Sequence, residues 1–367
     1  MKTIRVSLGE NSYDIVVGFQ IIRQLGEAAK RIELGRKEMI ISSNIVWPLY
    51  GSMVHDSLAS SHFEVETTNL NDDEEAKSLE TLGMIYERLL NNKFDRKSGI
   101  IALGGGVVGD LAGFAAATYM RGIRYAQVPT TLLAQVDGSI GGKTGVNHPK
   151  AKNLIGAFHQ PALVWIDVAT LRTLPERELR SGMAEVIKYA MITDQGFFSA
   201  LSDTITSLSS TSLQELVEII SRCCSIKARV VEEDEKEAGV RSILNYGHTV
   251  GHAIETITNY SHYTHGEAIA IGMTAAARIS HKIGTCNDET MKLQESLLRA
   301  AGLPTTINLL IAPETILDQL DSDKKKLDGK IRWVLPRTIG DVFLTDEVPS
   351  HIVLDALKEI SGKSGEA

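Results

Sequence analysis

The sequence predicts an α/β domain with a mainly parallel sheet, followed by a mostly α-helical domain. Between residue 37 and about 168, short apolar runs alternate with helical patterns, the rhythm of successive βαβ units. Beyond Thr170 strand-like runs become rare and long helical periodicity takes over. A chain of 367 residues is long enough to bury two substantial cores, so the expected domains span residues 1–169 and 170–367.

The first element is a hairpin. Ile4, Val6 and Leu8, then Tyr13, Ile15 and Val17, alternate on either side of Gly9-Glu10-Asn11. KEMIIS from Lys37 and FEVETTNL from Phe63 read as strands, and a helix is expected from about Lys77 to Asn91. SGIIAL from Ser98 is a further strand that ends in a glycine cluster, and RYAQVP from Arg124 and ALVWID from Ala162 complete the set. Between the last two, VPTTLLAQVDGSIGGKTGVNHPKAKNLIGAFHQP has little periodicity and reads as a long loop of the kind that carries function. Thr173 and Glu176 stand at capping-box spacing around Pro175 and open the helical half. Near its end KIRWVLP, Lys330 to Pro336, reads as one short strand.

Composition narrows the function classes. A net charge of −8 and no long Lys/Arg tract argue against nucleic acid and anionic membrane as partners. No stretch approaches the roughly 20 apolar residues of a membrane span. The opening residues read as a hairpin instead of a signal core, and Cys223, Cys224 and Cys286 have no metal-type spacing, so a cytoplasmic location is expected.

Two groups of residues carry chemistry. Arg241, Asn245, His248 and His252 recur at spacings of four, three and four, which on one uninterrupted helix puts them on a single face. A guanidinium, an amide and two imidazoles suit a metal ion with an anionic, hydroxylated ligand. Gly247 and Gly251 lie in the same run, each unfavourable in a helix by roughly 1 kcal/mol, and imply a close approach to the backbone. A solvated helix face is the plain alternative, although such faces are mostly Lys and Glu. Glu185 sits among Met183, Val186, Ile187 and Ala190 and needs a partner. Lys188 could be that partner in a simple ion pair; alternatively Glu185, His248 and His265 make an open Zn²⁺ site. In the other half, Gly104, Gly105, Gly106 and Gly109 follow a strand and lead into a helix, where backbone N–H groups can meet a pyrophosphate, though the spacing is not G-x-G-x-x-G and steric reasons also produce such turns. Asp137, Lys143, Lys152, Asn153 and His159 sit in the glycine-rich loop, where lysines clamp anions or are simply solvated.

GGGVVGDLAGFAAATYMRGI, VPTTLLAQVDGSIGGKTGVN, KNLIGAFHQP, GMAEVIKY, NYGHTVGHAIE, HGEAIAIGM and DKK resemble the 3-dehydroquinate synthase family, a group of sugar-phosphate cyclases, across roughly residues 40 to 335. The resemblance implies a Rossmann-like N-terminal domain, a helical C-terminal domain and an active site in the cleft between them. It also implies NAD and Zn²⁺, with Co²⁺ possible in its place. Glu185, His248 and His265 match the metal ligands. Gly104, Gly105, Gly106, Asp110, Thr130 and Thr131 match the NAD site, with Asn44, Glu74 and Lys77 at its adenosine end. Lys143, Lys188, Lys227, Arg241, Asn245 and His252 match catalytic positions; Asp137, Lys152, Asn153 and the Lys324-Lys325 pair match substrate contacts. Arg121 matches an arginine that reaches the phosphate from the other subunit, which implies a homodimer. Ser42 and Asp73 depart from the family pattern, which often has Asp and Gly there.

The implied reaction converts 3-deoxy-D-arabino-heptulosonate 7-phosphate to 3-dehydroquinate and phosphate in the shikimate pathway. It runs through transient NAD oxidation, phosphate β-elimination, re-reduction and intramolecular aldol closure. The alternatives are a sister cyclase on a carboxylate-free sugar phosphate, a metal-dependent polyol dehydrogenase and a non-catalytic metabolite-binding regulator. Arg241 and Lys143 speak against the sister cyclase, the number of anion-binding cations against the dehydrogenase, and the full metal set against the regulator.

Overall fold

The computed structural model describes residues 1–71, 73–149, 151–205, 212–326 and 330–361, without the side chains of residues 151 and 323–326. Two compact units emerge: residues 1–175 with 212–236, and residues 176–211 with 237–367.

The first unit is built on a seven-stranded sheet. Its strands are β1 (Lys2–Val6), β2 (Tyr13–Gly18), β3 (Lys37–Ser43), β4 (Glu64–Leu70), β5 (Gly99–Gly104), β6 (Arg124–Pro129) and, from later in the chain, Leu163–Asp167, in the order β1-β2-(163–167)-β6-β5-β3-β4. Only the β1–β2 hairpin is antiparallel. Every residue of β5 is buried, as a central parallel strand covered on both faces requires. Ile100 and Ala102 enter one core with Val108 and Leu111, while Ile101 and Leu103 enter the opposite core with Val54 and Leu58.

Two features depart from the sequence reading. The aperiodic loop contains an antiparallel pair, β7 (Lys143–His148) with β8 (Ala151–Phe158), before the final strand β9 (Leu163–Asp167). Gly145 and Gly156 are partners in that pair, and a Cβ on either would strike the opposing backbone. Glycine at both positions erases the apolar alternation by which a strand is recognised. The chain also returns to this unit after residue 211. The helix Leu213–Glu233 buries Leu216, Val217, Ile220 and Cys224 on one face and pairs Glu218 with Lys2 of β1. The units therefore divide after Pro175, later than the boundary expected after residue 169, and residues 212–236 belong with the sheet.

In the second unit the helices are α5 (Glu176–Thr193), α6 (Gln195–Thr204), α8 (His248–Ile257), α9 (His265–Lys282), α10 (Asp288–Ala300), α11 (Pro313–Lys326) and α12 (Ser350–Ile360); α1 to α4 (Leu25–Arg31, Ser52–Ser60, Leu79–Asn91, Gly106–Thr118) and α7 (Leu213–Glu233) lie in the first. KIRWVLP supplies β10, which starts at Trp333 and pairs with β11 (Asp341–Thr345). The expected capping box does not form: Thr173 ends the 3-10 segment Val168–Thr173, its hydroxyl donating to Thr170 O at 3.1 Å, and α5 starts only at Glu176. Glycines set the spacing of α5, α8 and α9. A Cβ on Gly272 would overlap the Gly247 carbonyl, and one on Gly266 would overlap the Ser181 backbone.

Candidate active site

The polar run that suggested one helical stripe is broken. Arg241 and Asn245 lie in a 3-10 segment, Val240–Asn245; Tyr246 is extended (ψ 124°) and Gly247 has φ +82°, so α8 begins only at His248. His248 and His252 alone share a helix face, with rings 5.2 Å apart. Gly247 and Gly251 do admit a close neighbour. That neighbour is α9, through Ile269 O, Met273 and Ala268.

Three helices bring Glu185, His248 and His265 together. Glu185 on α5 is 1% exposed and faces His248 Nε2 at 3.5 Å and His265 Nε2 at 3.6 Å. These separations match the edges of a tetrahedron with Zn–N and Zn–O bonds near 2.0–2.1 Å, which are about 3.3 Å long. Both imidazoles sit at the first residue of their helices. Their other nitrogens are anchored, His248 Nδ1 on Tyr246 O at 3.2 Å and His265 Nδ1 on Glu255 Oε1 at 3.2 Å, which turns each Nε2 toward the carboxylate. Thr264 and Glu267 form a capping box at the start of α9, and Arg177 grips Glu267 with bonds of 2.9 and 2.7 Å, tying that helix end to α5. The donor set fits a divalent ion in the Zn/Co class.

The electrostatics agree. Burial holds His248 well below the usual imidazole range and therefore neutral, as a ligand must be. Burial also disfavours a charge on His265, but hydrogen bonds to Glu185 and Glu255 outweigh it and carry the group up to about 10. As a metal ligand His265 would have to give up that proton. Lys188 is 1% exposed and ion-paired with Glu185, so the ion pair expected as the plain alternative is present within the same set. His252 is exposed beside it, its ring 6.0 Å from that of His265.

The first unit gathers most of the other expected residues. Gly105 caps α4 and Gly106 is its first residue. A Cβ on Gly106 would meet nothing within 4 Å, so packing does not account for this glycine, whereas a group lying on the helix N-terminus would. Thr130 N donates to Gly104 O at 3.0 Å, and Thr131 accepts from Ala134 N at 3.2 Å. Lys77 donates to Asp110 at 2.7 Å and Asn153 at 2.9 Å, and pairs with Glu74 at 3.7 Å; Lys152 pairs with Glu74 at 3.6 Å. Burial raises the Asp110 carboxyl and Lys77 opposes it. Lys227 on α7 holds Asp137 through its carbonyl (2.7 Å) and carboxylate (2.8 Å).

The two departures acquire local reasons. Ser42 is buried in β3 and its hydroxyl donates to Leu103 O at 2.8 Å. Asp73 caps the turn Glu74–Ala76 by accepting from Ala76 N at 2.8 Å. Asn44 donates to Asn71 at 3.2 Å. Arg241 is buried, Asn245 donates to Glu237 at 3.1 Å, and Lys143 and Arg121 are exposed. The side chains of Lys324 and Lys325 lie outside the described residues. Sequence reasoning missed Glu255, Glu237 and Asn147, which donates to Glu74 at 2.8 Å. Only Glu255 carried a signal, seven residues after His248 and therefore on its face of the helix.

The chain is similar to known proteins of one family. A family model described as 3-dehydroquinate synthase N-terminal matches residues 67–181, and one described as 3-dehydroquinate synthase C-terminal matches residues 182–326. A 3-dehydroquinate synthase of Picosynechococcus sp. is 47% identical over 97% of this chain and 98% of its own. Among solved structures, 2-deoxy-scyllo-inosose synthase, complexed with carbaglucose-6-phosphate, NAD⁺ and Co²⁺, superposes with a TM-score of 0.88 at 28% identity over 98% of this chain and 99% of its own. The 2-epi-5-epi-valiolone synthase of Streptomyces hygroscopicus, with NAD⁺ and Zn²⁺ bound, gives 0.86 at 28% identity over 96% and 98%. With both family models matched in sequence and near-complete coverage at this identity, the chain belongs to the 3-dehydroquinate synthase family.

Proposed function

We propose that the chain is a working 3-dehydroquinate synthase that converts 3-deoxy-D-arabino-heptulosonate 7-phosphate to 3-dehydroquinate and phosphate. The observation that carries this reading is the intact Glu185–His248–His265 donor set in a chain of that family. Glu185, His248 and His265 hold the metal, and the turn Gly104–Gly105–Gly106 with Asp110, Lys77 and Glu74 holds NAD. Bound there, the two groups supply a reversible hydride acceptor and a Lewis acid for hydroxyl oxygens.

The chain's own residues bind and orient. Lys188 offsets the charge of Glu185 and both metal-binding imidazoles are neutral as ligands, so the cation's charge stays available to an anionic substrate. Arg241, always charged, suits a carboxylate or phosphate as a planar fork. Lys227 fixes Asp137, and Lys152 and Asn153 add an ammonium and an amide for substrate oxygens. The exposed imidazole of His252 can carry protons to and from solvent.

The reading includes a cytoplasmic homodimer in which Arg121 serves the partner's substrate. Its support is local strain: Met120 and Arg121 are consecutive non-glycine residues at φ 52° and 66°, a conformation that is costly and concentrates at functional sites. The test is phosphate release from the heptulosonate phosphate with catalytic NAD and zinc, followed together with absorbance at the NADH band. Phosphate without net NADH, yielding dehydroquinate, is expected. No release would favour a sister cyclase, and steady NADH accumulation a dehydrogenase.

A further inference from the structure

Glu255 is a buried carboxylate with no part in the scheme above. It stands on α8 seven residues after His248 and three after His252, so one helix face carries all three. Its Oε1 lies 3.2 Å from His265 Nδ1 and its Oε2 3.9 Å from His252 Nε2. His252, Glu255 and His265 themselves bring donor atoms within 4.8 Å of one another. The trio is therefore either a second ion site or the outer support of the first.

Ring chemistry decides between them. His265 Nε2 faces Glu185 at 3.6 Å, and a neutral imidazole that ligates through one nitrogen keeps its proton on the other. That proton is aimed at Glu255. A second ion at Nδ1 would require an imidazolate, whereas a hydrogen bond requires no ionisation. We propose that Glu255 is a positioning residue for the metal: it receives the Nδ1–H of His265, holds the ring with Nε2 toward Glu185 and His248, and makes that nitrogen a stronger donor. His252, on the other carboxylate oxygen, is the solvent-side member of this shell. The inference rests on the metal reading under Proposed function.

The experiment is zinc titration of metal-free, full-length protein against a competing chelator, for the wild type, Glu255→Gln and Glu255→Asp. Glu255→Gln keeps the shape and removes the charge; Glu255→Asp keeps the charge and withdraws the oxygens. Both variants are expected to bind zinc about 10- to 100-fold more weakly, the usual effect of losing an outer-shell partner. The metal-free Glu255→Gln protein should also unfold at a somewhat lower temperature, because the Glu255–His265 contact is lost there too; a purely structural role would lower that temperature and leave zinc affinity as it was. Cobalt-loaded samples give a second readout, because the exchangeable Nδ1 proton of a ligated imidazole is shifted clear of other resonances. For His265 it should exchange faster with solvent in Glu255→Gln. Unaltered zinc affinity in whichever variant folds would overturn the proposal. A wild type that binds no zinc would instead overturn the metal reading itself.

Discussion

Glu38 gives the sharpest test of the sheet unit. Its side chain is fully buried near the start of β3, framed by Gly35 and Gly99, and neither carboxyl oxygen has a hydrogen-bond partner among the described residues. Burial raises the group from 4.5 to about 8 despite the opposing charge of Arg124. In the unfolded chain the carboxyl ionises near 4.5, while in the folded protein it keeps its proton to about 8. Between those values the folded state binds more protons, so stability is highest below the lower value and falls as pH rises through the upper one. At 1.36 kcal/mol per pH unit the interval is worth about 5 kcal/mol above both values and about 3 kcal/mol at pH 7. Glu38→Gln preserves the shape and removes the titration. Urea unfolding followed by Trp47 and Trp165 fluorescence, in a Trp333→Phe background, reads this unit. The stability of Glu38→Gln minus that of Glu38 should grow by about 3 kcal/mol from pH 6 to pH 9. A difference that stays constant across that range refutes the burial argument, whatever its absolute size.

His265→Ala removes one of three metal donors and should abolish turnover together with zinc occupancy; normal activity at full zinc would strike the residue from the ligand set. Lys143→Ala should lower kcat/KM with zinc content unchanged, and unaltered kinetics would return this exposed lysine to the solvated surface. Asp73→Ala should cost about 0.5–2 kcal/mol through loss of its cap, seen as a lower midpoint in denaturant. Gly272→Ala pushes a methyl group against the Gly247 carbonyl and should destabilise by about 1–3 kcal/mol while weakening zinc binding, although it touches no ligand. Zinc titration and unfolding of the same sample check both.

Much of this arrangement was legible in the sequence. The apolar run SGIIAL announced a strand, and Glu185 among apolar neighbours announced a carboxylate in need of a partner. The glycine turn at residues 104–106 was readable because strand, turn and helix are contiguous. What stayed hidden was set by tertiary contact. The break at Gly247 depends on how closely α9 passes, which no helical spacing can register. β7 and β8 are disguised because their paired glycines are chosen by each other. The membership of α7 depends on partners such as Lys2 and Asp137, far away in sequence.

The return of α7 to the first unit has a consequence for how the protein is made. β1 and β2 leave the ribosome together, but the parallel neighbour of β2 arrives only with residues 163–167 and the helix packed on the hairpin only with residues 213–233. At about 5–20 residues per second, Lys2 waits on the order of 10–50 s for Glu218 to emerge. Until residues 163–167 emerge, the β2 edge of the nascent hairpin is bare, an uncovered strand edge able to pair with other chains. Synthesis speed, chaperone occupancy and the yield of active protein are thereby coupled to a strand and an amphipathic helix made long after the hairpin they pack on.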